Sequence, residues 1–355
     1  MLHGGDIFGK TIEHDFSVNL NPYPCPESVR KAMQKALLKV SEYPDFSQRA
    51  FREAVAGAES CRMTAAETGN AAISKAGKIK PENVIGGNGA SELLAAIVRY
   101  VDPKVVLLPV PSFWGYRHAL GMLDGCEIRT HRLTEENEFV LDGSILAGID
   151  ESTDLVILAN PNNPTGKCID GVLLGAIAEK CRETGTALLV DECFIDLSSR
   201  GVSLAGRIGE IPRLFVVKAY TKLFALPGVR VGYALAGEED IIGIRRFLPE
   251  WNLSVFAEKA GIACAEVLWG SSFAEDSVKM IEKSRGELTK RLREKGIRVF
   301  DSDTNFLLLH CRENLYEYYL KKRILLRDCE NFEGLTKGFY RIAVKSAKEN
   351  EALFM

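Results

Sequence analysis

The sequence predicts an α/β protein: a large domain with a mostly parallel sheet sandwiched by helices, followed by a small α+β domain. Three observations predict it. Four apolar, β-prone runs at 105–108, 155–159, 187–190 and 214–217 are each bounded by chain breakers, and strands apolar on both sides must be covered on both faces. Between the second and third run, Ile169, Val172, Leu173, Ala176 and Ile177 recur at helical spacing, as in a crossover helix. Beyond residue 256 the alternation gives way to a helical region at 256–295 and then to strand-like and helical segments at 305–309, 315–322, 324–328 and 339–344. The 355 residues also exceed what a single core usually holds, about 250 to 300.

The composition, 46% hydrophobic and 26% charged, is that of an ordinary globular chain. With 45 basic and 48 acidic side chains the net charge is -3, which gives no field of one sign and argues against nucleic acid or an anionic membrane as partner. The nine cysteines, at 25, 61, 126, 168, 181, 193, 264, 311 and 329, form no CxxC pair, so reduced thiols are expected rather than a metal cluster or a disulfide framework. No basic-then-apolar leader and no long uncharged apolar run is present, and a cytoplasmic protein is the expectation.

In chain order, residues 15–22 read as extended chain ended by Pro22. A helix follows, with Val29, Met33, Ala36, Leu37 and Val40 on one face and Pro26 in its first turn, broken at Tyr43-Pro44. Residues 58–80 are small and polar with weak periodicity, so a surface helix or loop without a motif is expected there. Next, Ile85-Gly86-Gly87-Asn88-Gly89-Ala90-Ser91 leads from a short strand into an apolar helix, and free N–H groups at such a helix start can seat a phosphate. The expected division is an N-terminal arm and first helix at 1–45 packing with the small domain, a large domain at 46–255, and a linking helix and small domain at 256–355.

In open α/β sheets the chemistry lies beyond the carboxyl ends of the strands. There the chain carries Asn160-Pro161-Asn162-Asn163-Pro164-Thr165-Gly166, then Asp191-Glu192, then Tyr220 to Tyr233 with Lys222 and Arg230. Gly166-Lys167 is no phosphate loop of the Walker type, because the glycine needed five residues before Gly166 is Pro161. A lysine closing a buried strand loses hydration, which favours the free amine that condenses with an aldehyde. Taken alone, Lys222 reads equally as a surface lysine snorkelling from a strand end.

The ordered set Asn-Pro-x-Asn-Pro-Thr-Gly at 160–166, Asp191, Lys222 with Arg230 eight residues on, and Arg341 in a strand resembles the fold-type I pyridoxal-phosphate enzymes of the aminotransferase class I/II group. The resemblance spans essentially the whole chain. It implies pyridoxal 5'-phosphate held covalently by Lys222, with Asp191 on the ring nitrogen, Asn163 on the ring hydroxyl oxygen and Phe113 stacked on the ring. It also implies a phosphate held by the Gly89-Ala90-Ser91 helix start and Arg230, joined by Tyr43 from the second subunit of a homodimer with shared sites. Two positions depart from the group's pattern: Phe194 stands where a tyrosine is common, and Ala219 where a serine or threonine is.

Within the group, His3-Gly4-Gly5, the run from Asp15 to Pro22, Asp191-Glu192-x-Phe194-Ile195-Asp196, and 324–329 before 340–344 resemble the L-threonine-O-3-phosphate decarboxylases. The histidinol-phosphate aminotransferases come next. The implied reaction is decarboxylation of L-threonine O-3-phosphate to 1-aminopropan-2-ol O-phosphate, a step of cobalamin biosynthesis, with amino transfer on histidinol phosphate as the alternative and a catalytically silent cofactor-binding relative as a third reading. Arg341 corresponds to the group's carboxylate arginine and Arg327 to a phosphate arginine, with His3 and Asn19 closing over the substrate.

Overall fold

The computed structural model describes residues 4–66 and 78–355, except for the side chains of 63–66. Its centre is a seven-stranded sheet in the order Val84–Gly87, Gly232–Leu235, Leu214–Ala219, Ala187–Asp191, Leu155–Ala159, Val105–Val110, Glu127–Arg132. Only Gly232–Leu235 runs antiparallel to its neighbours. The alternation of the pleat divides each central strand between two cores. Leu188, Val190, Leu214 and Val216 pack into one, and Ala187, Leu189, Phe215 and Val217 into the other. This is why those runs are apolar at every position.

The crossover helix, Gly171–Thr184, starts where Asp170 accepts hydrogen bonds from the amides of Val172 and Leu173, and it stops at Gly185 in the left-handed region. Its buried stripe is Leu174, Ile177, Ala178 and Cys181; of the expected face Ile169 and Ile177 are buried, whereas Val172 is exposed. Glu127–Arg132 was not anticipated, because an edge strand of sequence EIRTHR has no apolar run to mark it.

A four-stranded antiparallel sheet, in the order Arg327–Asp328, Phe339–Ala343, Phe306–His310, Arg298–Val299, builds a third core. Beside it the N-terminal arm forms a separate two-stranded parallel sheet, His14–Asp15 with Ile324–Leu325, and Phe16 is fully buried among Leu288, Leu307 and Tyr340. The first helix, Glu27–Ala36, packs against the helix Val255–Gly270 and contributes Val29 to the larger core. The region 256–295 is two helices, Val255–Gly270 and Phe273–Glu294, interrupted at Ser271, whose extended backbone ends the first.

The expectation for 58–80 needs correction. Helix Arg49–Ala66 runs into it, Ala58 and Glu59 are buried, and only 67–77 lie outside the described residues. Glu59 owes its burial to partners far along the chain. Its carboxylate takes Lys218 Nζ at 2.7 Å and the Tyr233 hydroxyl at 2.6 Å. Lys218 Nζ also lies 3.5 Å from Glu192, whose other partners are Ser203 and the Leu204 amide, and Arg62 pairs with Asp196 at 2.5 Å. Burial would drive Lys218 toward neutrality, but the Glu59 and Glu192 carboxylates outweigh it and raise its pKa.

Candidate active site

The sheet order brings distant segments to one edge. Leu155–Ala159, Ala187–Asp191 and Leu214–Ala219 run parallel, so the loops after Ala159, Asp191 and Ala219 leave on the same side. The antiparallel Gly232–Leu235 starts at that side, with Gly232 opposite both Ala219 and Gly87, which brings in Arg230 and the Gly89 turn. Together with the arginines of the small domain they line a cavity of about 260 Å³.

In the Asn160–Gly166 loop the three asparagines differ. Asn160 donates to Val202 O and accepts from the Ile169 amide, and Asn162 donates to Pro111 O and Thr165, so both hold the loop in shape. Asn163 alone of the three reaches the cavity, its Oδ1 accepting from Arg341 Nη1 at 2.5 Å. Asp191 is buried at the next strand end, with Tyr116 donating to Oδ2 at 2.8 Å and the Cys193 amide to Oδ1 at 3.0 Å.

Lys222 sits in the short helix Tyr220–Leu223, its carbonyl fixed by the Asn21 amide at 3.0 Å. Its Nζ lies 5.6 Å from the centre of the Phe194 ring. Burial pushes the ammonium below the ordinary lysine value, Cys193 and Asp191 oppose this, and the positive charges of Arg341 and Arg230 add to it. Mixing the cofactor-free protein with pyridoxal phosphate over a range of pH tests this sign. Capture needs the neutral amine, so its half-maximal rate should fall below about pH 10.4, and Arg341→Gln should move it upward.

Ala90 and Ser91, at the start of helix Ala90–Val101, line the cavity. Gly89 caps that helix at φ 80°, and a Cβ there would come within 2.4 Å of Arg230 Nη2, so only glycine lets the guanidinium reach the open helix end. Phe113 lies on the wall, as do Phe194 and Ala219, the two departures noted in the sequence.

The small domain supplies Arg327 and Arg341, both buried and directly opposite each other on adjacent antiparallel strands. Arg327 donates to Asp328 O and, at 2.8 Å, to Asn331, with its face over Phe332. Arg341 donates to Ser17 O at 2.7 Å, and burial lowers its pKa to about 10. Neither has an ion-pair partner among the described residues. Asn19 is buried on the same wall, and its Oδ1 and Arg341 Nε have no hydrogen-bond partner among the described residues. Such orphaned polar atoms are what a bound ligand satisfies.

The aminotransferase class I and II family matches residues 11–354. The chain belongs to that family. Aminotransferase class I and II enzymes depend on pyridoxal phosphate, and so does this one. The chain is 29% identical to the threonine-phosphate decarboxylase of Salmonella typhimurium over 96% of its own length and 88% of that protein's. It is 30% identical to the histidinol-phosphate aminotransferase of Methanothermobacter thermautotrophicus, with 94% and 84% covered. The crystal structure of the histidinol-phosphate aminotransferase from Clostridium acetobutylicum superposes with a TM-score of 0.82 at 29% identity and covers 96% of both chains.

The donor set fits the family's cofactor: a lysine of lowered pKa, a buried carboxylate, an amide, an aromatic wall, and an open helix end beside an arginine. His3 is outside the described residues, and Tyr43 is exposed, packing on Trp251 away from the cavity of its own chain. Among the cavity residues to which the sequence assigned no role are Tyr116 and Phe332, which no motif marks, and Ser17, which meets Arg341 through its carbonyl and so has no side-chain signal for it.

Proposed function

We propose that the protein decarboxylates L-threonine O-3-phosphate to 1-aminopropan-2-ol O-phosphate, as in cobalamin biosynthesis. The observation that carries this reading is the pair of buried arginines, with no ion-pair partner among the described residues, facing one small cavity. Threonine phosphate satisfies both at once, with its carboxylate on Arg341 and its phosphate on Arg327. Amino transfer from histidinol phosphate would have to use the two arginines in turn, because that substrate has no carboxylate; it is the second reading, favoured by the Clostridium acetobutylicum neighbour.

Pyridoxal phosphate, when bound, supplies an electron-accepting ring that stabilises negative charge at the substrate's α-carbon. Lys222 would hold it covalently through Nζ, Asp191 would keep the ring nitrogen protonated, Asn163 Nδ2 would donate to the ring oxygen and Phe113 would cover a ring face. Arg230 with the Gly89, Ala90 and Ser91 amides would take its phosphate, joined by Tyr43 of the second subunit of a homodimer. That role suits the exposure of Tyr43.

Decarboxylation would need the substrate carboxylate held in one fixed orientation, and Arg341 would be the group that holds it. Its bond to Asn163 links that orientation to the ring. Asn19 and His3 would close over the substrate. Once carbon dioxide has left, Lys222 Nζ is the proton donor to the α-carbon. Arg341→Ala should weaken substrate binding by about 2 to 5 kcal/mol, the usual result when a desolvated charge loses its partner, as read from KM or direct binding.

The deciding assay mixes the holoprotein with threonine phosphate and measures carbon dioxide, beside histidinol phosphate plus 2-oxoglutarate followed as glutamate. Carbon dioxide release in the first and none above background in the second supports the decarboxylase. The reverse outcome assigns amino transfer, and silence in both assigns a non-catalytic relative.

A further inference from the structure

Tyr116 lies in the short helix Trp114–Leu120, buried, with its hydroxyl donating 2.8 Å to Asp191 Oδ2. Its ring meets Phe113 edge to face, with centroids 5.6 Å apart and planes at 86°. Both partners line the cavity, and so does Tyr116 itself. One side chain therefore touches the carboxylate at one end of the site and the aromatic wall on its flank. Burial and the Asp191 charge raise the phenol pKa well above its ordinary value, so the hydroxyl remains a donor.

We propose that Tyr116 is a positioning residue that sets the cofactor's ring plane, aligning Asp191 and Phe113 together. The inference rests on the assignment of Asp191 to the ring nitrogen. Of the carboxylate's two oxygens, Oδ1 is tied to the backbone through the Cys193 amide, which leaves rotation about that contact as the freedom to be removed. The Tyr116 hydroxyl removes it. A carboxylate held at both oxygens offers its remaining lone pairs in one direction, toward the partner it is to meet. The edge of the same phenol ring fixes the tilt of Phe113, so the stacking surface and the charge partner keep a constant relation. Phe194, lacking a hydroxyl, provides no such link on its side.

The test is equilibrium binding of pyridoxal phosphate to the cofactor-free chain, followed by the visible band of the lysine-bound cofactor and by dialysis. The variants are Tyr116→Phe, Tyr116→Leu, Asp191→Asn and the double variant Tyr116→Phe/Asp191→Asn. Tyr116→Phe, which keeps the edge contact, should weaken binding by roughly 10-fold or more, the loss typical of a hydrogen bond to a charged group. Tyr116→Leu should weaken it further. In the Asp191→Asn background Tyr116→Phe should add less than about 3-fold, because the bond it removes acts through the carboxylate. Equal losses in both backgrounds would assign Tyr116 a merely structural part and overturn the proposal, as would a Tyr116→Phe chain that binds like the parent. A parent chain that forms no band overturns the assignment of the site, and this proposal with it.

Discussion

Lys222→Ala should be inactive, with turnover down by at least about 10³-fold on whichever substrate the parent uses, because a group that both carries the cofactor and transfers a proton is lost. The visible band should vanish while the phosphate contacts still retain cofactor in part. Lys222 makes no ion pair among the described residues, so its removal should change the unfolding free energy of the cofactor-free chain by less than about 1 kcal/mol. Lys222→Arg separates charge from chemistry: it restores the positive charge but not a free amine, and it should be as inactive as alanine. Steady-state assays with the two substrates, beside absorbance spectra, check both variants. Activity within tenfold of the parent in either one refutes the role given to this lysine.

The second large effect is on stability and lies four residues earlier. Lys218→Ala should destabilise the fold by about 3 to 5 kcal/mol in urea unfolding, because it leaves Glu59 and Glu192 charged, buried and without their cation. Burial would raise Glu59, but Lys218 and Arg62 outweigh it and hold it below the usual glutamate value, whereas burial keeps Glu192 above it. Lys218→Met with Glu59→Leu should recover much of the loss, since removing both ends of a buried pair costs less than removing one. A Lys218→Ala loss below about 1 kcal/mol would mean that water or a shifted side chain replaces the ammonium. Because Glu192 follows Asp191 and Lys218 precedes Lys222, this cluster braces from behind the two strand ends that face the cavity.

What the sequence revealed follows from the range of each interaction. Asn163, Asp191, Lys222 and Arg230 were legible because each lies just past a strand or at a turn, where local pattern marks the place and the sheet edge collects them. Arg327 and Arg341 were legible as strand residues, but their direct opposition depends on a pairing register that no single segment encodes. Tyr116 was invisible because a buried tyrosine in a helix has the same signature whether or not its hydroxyl meets an aspartate. Glu59 and Lys218, 159 residues apart, were missed for the related reason that a charge reads as surface until its partner is found. Strand order, set by contacts between distant segments, was likewise not available from local pattern.

The opposition of Arg327 and Arg341 has a consequence for the protein when nothing is bound. Like charges at facing positions of a sheet repel, and here both guanidiniums are buried, without an ion-pair partner among the described residues. Folding alone thus completes a sheet with a local excess of positive charge. An anion that bridges the two guanidiniums cancels that strain, acting in effect as the acidic side chain the strand pair lacks. Occupancy and cohesion of the small domain are then two readings of a single equilibrium.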